Sequence, residues 1–213
     1  MVPTSDSARN LYLLKLLISN EKNVLNVGPT GTGKSLNIAQ LITKILSDEF
    51  QYISMVFSAQ TGCNQTQDTI DAKLDKLRKG VYGPPIGKKC VIFVDDLNMP
   101  KKEEFGAQPP IELLRQYLDH KGWYNRKDLQ FMKIERLIML SAMGPPGGGR
   151  TFITPRVIRH FNVIAYTELD AETINMIFVT LVDHFFRKFS EEVKAILPKT
   201  IDAVLTVYEK VKK

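Results

Sequence analysis

The chain has 213 residues, of which 44% are hydrophobic and 24% are charged, and this balance excludes a disordered chain. It has no apolar run of the roughly 18–20 residues that cross a membrane and no secretory signal at its start, so we expect a cytoplasmic protein without membrane contact. With two cysteines, the chain cannot form a disulfide framework. The net charge is +6, but the basic residues come as pairs scattered among acidic residues, which does not indicate a nucleic-acid partner.

Short apolar segments alternate with helical patterns through most of the chain. The patterns predict strands over residues 24–27, 52–57, 90–94, 137–140 and 162–166, and helices over 34–46, 66–79 and 111–118. Gly80 is the predicted end of the second helix, and a polar turn within 122–131 indicates a hairpin. Strands that alternate with helices predict an α/β fold with a doubly wound, mostly parallel five-stranded sheet flanked by helices.

After Glu168 only helical patterns remain, over residues 174–185, 193–197 and 201–211. We therefore predict an α/β subdomain over residues 1–167 and a small helical subdomain over residues 168–213. Because the helical pattern stops abruptly at the last residue, we expect the helical subdomain to be truncated.

Residues 28–35, with the sequence GPTGTGKS, match the phosphate-binding pattern G-x-x-x-x-G-K-[ST] between a predicted strand and a predicted helix. In such a loop, backbone N–H groups and the helix N-terminus surround the β-phosphate. Lys34 then reaches the β- and γ-phosphate oxygens, and the Ser35 hydroxyl ligates Mg²⁺. The predicted nucleotide-binding residues here are Gly28, Pro29, Thr30, Gly31, Thr32, Gly33, Lys34, Ser35 and Leu36.

Two acids follow the apolar run at residues 91–94. At the end of this predicted strand, Asp95 is expected to lie beside the phosphate loop and to hold Mg²⁺ together with Ser35. Asp96 is the candidate for orienting or deprotonating an attacking water. For both acids the alternative is a solvated acid in a turn.

Longer strings resemble an AAA+ module of a dynein heavy chain. They are FVDDLNMP at 93–100, MGPPGGGR at 143–150, PRVIRHF at 155–161 and GWY at 122–124, together with the phosphate loop. With GPPIGKK at 83–89, the chain is most similar to the third AAA+ module of axonemal dyneins. The resemblance covers essentially the whole chain, and it implies an AAA+ P-loop NTPase fold with a partial helical lid.

The resemblance implies an ATPase module that binds ATP or ADP with Mg²⁺ in a microtubule motor of the cytoskeleton and ciliary axoneme. Its implied partners are neighbouring AAA+ modules of the same heavy chain, microtubules through other parts of that chain, and dynein intermediate and light chains. It implies that the segment with Pro3, Thr4, Asp6 and Arg9 borders the adenine, with Pro3 and Thr4 as the binding residues. Arg156 and Arg159 correspond to arginine fingers aimed at a neighbour's nucleotide, with a structural surface pair as the alternative.

The sequence departs from the family pattern in three places. Asp96 stands where active members usually carry glutamate, and its carboxylate is expected to lie about one ångström short of the water. Gly144 stands at a sensor position that is often asparagine, and a second sensor arginine is not evident in the lid. We therefore expect slow or regulatory ATP hydrolysis that is weak or absent in the isolated chain, with a non-hydrolysing, nucleotide-dependent scaffold as the alternative function. Residues 98–101 (NMPK) do not supply the guanine-reading string N-K-x-D, which disfavours a GTPase.

Overall fold

The computed structural model describes residues 2–46 and 48–212. Its strands are β1 Val24–Val27, β2 Phe50–Val56, β3 Asp75–Arg78, β4 Val81–Gly83, β5 Lys89–Asp95, β6 Gly122–Tyr124, β7 Phe131–Ile134, β8 Leu137–Met143 and β9 Asn162–Ala165. Its α-helices are α1 Ser5–Ser19, α2 Lys34–Gln40, α3 Cys63–Asp71, α4 Pro109–His120, α5 Pro155–Ile158, α6 Ala171–Phe186, α7 Glu191–Lys194 and α8 Leu197–Lys212. A π-helical segment, Leu41–Ile45, continues α2.

A five-stranded sheet with the order β2-β5-β8-β1-β9 forms the centre of the unit Arg9–Thr167. Every neighbouring pair in it is parallel, which confirms the predicted α/β fold. β8 is buried along its full length, and β5 is buried at its five central residues. Continuous apolar runs of this kind are typical of parallel strands whose two faces are both covered.

Successive residues of the central strands belong to different cores on the two faces of the sheet. Val91 lies in one apolar cluster with α1 and α2, where Leu14 and Ile38 are fully buried. Its neighbour Ile92 lies in the other cluster, with residues of α3 and α4 such as Ile70. Because side chains alternate along a strand, the sequence builds two cores from one run of apolar residues.

A second, smaller sheet has the strand order β3-β4-β7-β6. The helix predicted over 66–79 is wrong in its second half, because α3 ends at Asp71 and β3 pairs antiparallel with β4. Gly80 has a φ of 73° in the turn between those two strands, so it closes a hairpin instead of ending a helix. The hairpin predicted within 122–131 is confirmed, since β6 pairs antiparallel with β7.

The other compact unit consists of Met1–Ala8 together with Glu168–Lys213. Its longest helices are α6 and α8, and the carboxylate of Asp170 caps α6 by accepting a hydrogen bond from the backbone N–H of Thr173 at 2.7 Å. Within the described part of the chain, no helix is both long and apolar enough to span a membrane.

Trp123 in β6 joins the second sheet to the helices, so its truncation should destabilise the protein strongly. The side chain is 1% exposed and meets the Tyr117 ring edge-on, and its Nε1–H donates to Asp71 at 3.0 Å. We expect Trp123→Ala to lower the free energy of unfolding by about 3–5 kcal/mol, measured by urea denaturation. The control Phe105→Ala removes an aromatic ring that is 93% exposed, and it should change stability by less than about 0.5 kcal/mol. Equal effects of the two substitutions would contradict this packing.

Candidate nucleotide site

The loop between β1 and α2 folds back on its own lysine. The Lys34 ammonium donates to the backbone carbonyls of Gly28 at 2.7 Å and of Pro29 at 2.5 Å. The Thr32 hydroxyl donates to the Pro29 carbonyl at 2.9 Å, which tightens the same turn. The lysine is therefore held at the centre of the loop, where a phosphate-binding cation is required.

Glycines are required at specific points of this loop. Gly31 and Gly33 have φ values of 82° and 81°, a left-handed conformation that side chains disfavour. A Cβ at Gly28 would clash with the backbone carbonyl of Tyr166, just after β9. The loop path therefore depends both on backbone freedom and on the close approach of a neighbouring strand.

Charged groups of both signs surround Lys34. Its pKa is lowered below the ordinary lysine value, first because it is partly buried and second because the Arg150 guanidinium lies nearby. Asp95 and Asp96 act in the opposite direction. Two cations and two carboxylates therefore meet at this loop.

Ser35 and Asp95 come together as the sequence predicts. The Ser35 hydroxyl donates to Oδ2 of Asp95 at 2.7 Å, which joins the first turn of α2 to the end of β5. A hydroxyl and a carboxylate at this spacing are the hard oxygen donors that Mg²⁺ prefers. Among the described residues no group of three or more His, Cys, Asp and Glu side chains could hold a metal. Mg²⁺ in phosphate sites needs few protein ligands, because phosphate and water oxygens supply the rest, so the two oxygens of Ser35 and Asp95 suit it.

Asp96 has a left-handed backbone conformation that favours a short side chain at this position. Its φ is 51°, in the left-handed region that aspartate tolerates better than most side chains do. Its N–H donates to Oδ1 of Asp95 at 3.0 Å, so the two acids form one turn. This backbone provides a physical reason for a short acid at this position.

Arg150 is a component of the site that the sequence alone did not predict. Its Nη2 donates to the Thr30 hydroxyl of the phosphate loop at 3.3 Å and lies 3.7 Å from Oδ1 of Asp96. The guanidinium packs over Gly144, at the end of β8. The sequence signal for this residue is an arginine at the end of the glycine-rich loop 144–150. That loop directly follows β8, and the end of β8 adjoins the phosphate loop.

The structure does not bring Arg156 and Arg159 into this site. Arg159 Nη2 donates to Asp119 at 2.7 Å, and His160 lies 2.8 Å from the same carboxylate oxygen. Arg115 donates to Asp119 as well. Arg156 is exposed on α5. Within the described ranges neither Arg156 nor Arg159 forms a hydrogen bond or ion pair with the phosphate loop.

Three other predicted contact residues lie near helix starts. Pro3 precedes α1, and Thr4 caps it, because the Ser7 N–H donates to the Thr4 hydroxyl at 3.1 Å. Leu36 lies in the first turn of α2 and is 62% exposed. Their contact with a nucleotide stays a prediction.

Several known proteins are similar to this chain in sequence. The family model described as "P-loop containing dynein motor region" matches residues 1–169. Dynein axonemal heavy chain 1 from Homo sapiens is 50% identical over 186 residues, which are 87% of this chain and 4% of that protein. Dynein axonemal heavy chain 3 from Mus musculus is 46% identical over 209 residues, which are 98% of this chain and 5% of that protein. Dynein axonemal heavy chain 12 from Rattus norvegicus is 45% identical over 212 residues, which are 98% of this chain and 7% of that protein. The chain therefore spans a small fraction of the length of these relatives.

The ion cluster around Asp119 should make the protein sensitive to acid. Hydrogen bonds from Arg159 and Arg115 lower the pKa of Asp119 to about 2, whereas an unfolded aspartate has a pKa of about 3.9. Since the folded state binds fewer protons between these values, the stabilisation is present above about pH 4 and is lost as the pH falls toward 2.

We therefore expect Asp119→Asn to lower the melting temperature at pH 6 but to flatten its decline between pH 4 and pH 2, followed by circular dichroism at low salt. The control Asp75→Asn removes an exposed carboxylate of β3 and should retain the decline of the unsubstituted protein. An unchanged pH profile for Asp119→Asn would exclude the cluster as the cause.

Proposed function

The chain belongs to the family of P-loop-containing dynein motor regions, and we propose that it is the Mg-ATP-binding third AAA+ module of an axonemal dynein heavy chain. The observation that carries the proposal is the assembly of Lys34, Ser35 and Asp95 from two elements at one edge of the central sheet. The relatives named above support the axonemal assignment, and the strings at residues 83–89 and 95–100 support the third module.

Each residue of the loop has a distinct role in the proposed binding. The backbone N–H groups of the loop and the start of α2 hold the phosphates, and Lys34 contacts the β- and γ-phosphate oxygens. Ser35 and Asp95 would hold Mg²⁺, which when bound neutralises charge on the phosphates. Asp96 orients the attacking water.

Slow or regulatory hydrolysis is the proposed activity of this module. Asp96 is a short acid for orienting water, and Gly144 offers no polar side chain at the end of β8. We assign Arg156 and Arg159 to the nucleotide of a neighbouring module, so this module needs a finger from another neighbour. An arginine finger is typically worth about 10³–10⁵ in rate.

A non-hydrolysing, nucleotide-dependent scaffold is the second candidate function. The short carboxylate of Asp96 and the lack of a polar side chain at Gly144 favour it. Both functions require nucleotide binding, and they differ only in whether the bound ATP is cleaved.

The relatives named above support a proposal for where the module works and what it contacts. We propose that the module works in the cytoskeleton of the ciliary or flagellar axoneme and contacts neighbouring AAA+ modules of the same heavy chain. Microtubule contact through other parts of that chain, and association with intermediate and light chains, are extensions of the same proposal.

Lys34→Ala tests nucleotide binding most simply. Loss of hydrogen bonds from a charged group should weaken Mg-ATP binding roughly tenfold to hundredfold, measured by isothermal titration calorimetry. The ammonium donates to atoms of its own loop, so the thermal unfolding should change little. Lys44→Ala, an exposed lysine of the π-helical segment, is the matched control and should bind as the unsubstituted protein does. Unchanged affinity of Lys34→Ala would show that this loop is not the phosphate site.

Hydrolysis by the isolated chain should lie barely above background, because no neighbour supplies an arginine finger.

In the full heavy chain, Asp96→Asn should slow single-turnover ATP cleavage in this module while leaving ATP affinity within about threefold. Asparagine also tolerates a left-handed backbone, so the turn at this position is retained. Brisk turnover by a verified monomer would contradict the need for a neighbour, and an unchanged single-turnover rate in the variant would favour the scaffold function.

A further inference from the structure

Arg150 is held in place by contacts on both sides of it. The residues before it form a tight turn, in which the backbone N–H of Gly147 donates to the Arg150 carbonyl and the Arg150 N–H donates to the Gly147 carbonyl, both at 3.0 Å. Gly148 and Gly149 between them have φ values of 57° and 86°, which only glycine adopts readily. The three glycines thus fix the direction in which the Arg150 side chain leaves the backbone.

The residue after Arg150 is tied to the loop that follows β5. The Thr151 N–H and hydroxyl both donate to the Asn98 carbonyl, at 2.9 and 3.0 Å. The Asn98 side chain, 1% exposed, donates to the Gly144 carbonyl at 2.8 Å. The ends of β5 and β8 and the arginine between them therefore form one connected network.

The guanidinium has fewer protein partners than its chemistry demands. It carries five N–H donors. In the described part of the protein, it forms one hydrogen bond, to Thr30 at 3.3 Å, and one ion pair, to Asp96 at 3.7 Å, which is too long for a hydrogen bond. Its Nε is buried and has no hydrogen-bond partner there. Because the side chain as a whole is 26% exposed, the cost falls on this buried Nε–H, and a buried donor without a partner is costly.

Gly144 creates the space that the arginine occupies. A Cβ at this position would lie 2.7 Å from Nε, 2.8 Å from Cδ and 3.0 Å from Cζ of Arg150. Any larger residue at the end of β8 would thus displace the guanidinium from Thr30 and the phosphate loop. The glycine and the arginine therefore form a matched pair.

We propose that Arg150 binds the terminal phosphate of ATP from within the same chain, and that it leaves Asp96 when it does so. This inference rests on the proposed nucleotide binding, and it assigns the discrimination between ATP and ADP to one side chain. In the proposed binding, Lys34 contacts both the β- and γ-phosphates. Arg150 lies beside Asp96 instead. An acid that orients the attacking water must lie near the γ-phosphate, so Arg150 lies near that phosphate as well. An anion that carries the terminal phosphate satisfies the guanidinium better than a single carboxylate at 3.7 Å does.

The test measures the affinities for Mg-ADP and for the Mg-bound β,γ-imido analogue of ATP by calorimetry. Arg150→Gln should weaken the triphosphate roughly tenfold to hundredfold and change ADP affinity by less than about threefold. Gly144→Ala should act in the same direction although it keeps the charge. The matched control is Arg78→Gln, which removes an exposed arginine from β3 and should change neither affinity.

The outcomes separate this inference from the function on which it rests. If the unsubstituted chain binds neither nucleotide, the proposed function fails. If it binds both, and Arg150→Gln weakens both equally or neither, the arginine assignment is overturned while the phosphate loop stands. ADP binding by the variants shows that the phosphate loop is intact. If Arg150→Gln does not fold, Gly144→Ala provides the test. A selective loss of triphosphate affinity in that variant supports the inference, and unchanged selectivity between triphosphate and ADP overturns it.

Discussion

Parallel pairing of β1, β5 and β8 is the constraint on which the rest of the structure depends. Val27 pairs with Met143, and Val94 pairs with Ser141, so the three strands end at the same edge of the sheet. Parallel strands of an open α/β sheet present their carboxyl ends to ligands in this way. The phosphate loop, the two acids and the Gly144–Arg150 loop therefore meet, although they are far apart in the sequence.

At that edge the site is built by hydrogen bonds between loops. Asn98 joins the turn after β5 to the end of β8, and Ser35 joins α2 to Asp95. Each bond links an element that carries phosphate-binding groups to one that carries acids. Displacing either loop would therefore alter the spacing between cations and carboxylates on which both binding and any hydrolysis depend.

The central sheet could be predicted from the sequence, because runs such as residues 91–94 have no polar face and suit strands covered on both sides. The second sheet could not, because Leu74 and Leu77 also fit a helical period and only Leu77 of β3 is partly buried. The phosphate loop was predictable because its chemistry is local. Arg150 was not, because its place depends on pairing between distant strands and on Asn98.

A crystal structure of this chain with Mg²⁺ and the β,γ-imido analogue of ATP would show whether the strand ends at this edge of the sheet form a nucleotide site. We expect the β-phosphate to lie within the loop at residues 28–35, with Mg²⁺ beside Ser35 and Asp95. We also expect Arg150 to contact the γ-phosphate and no longer Asp96. A nucleotide bound away from this loop would contradict the proposed site.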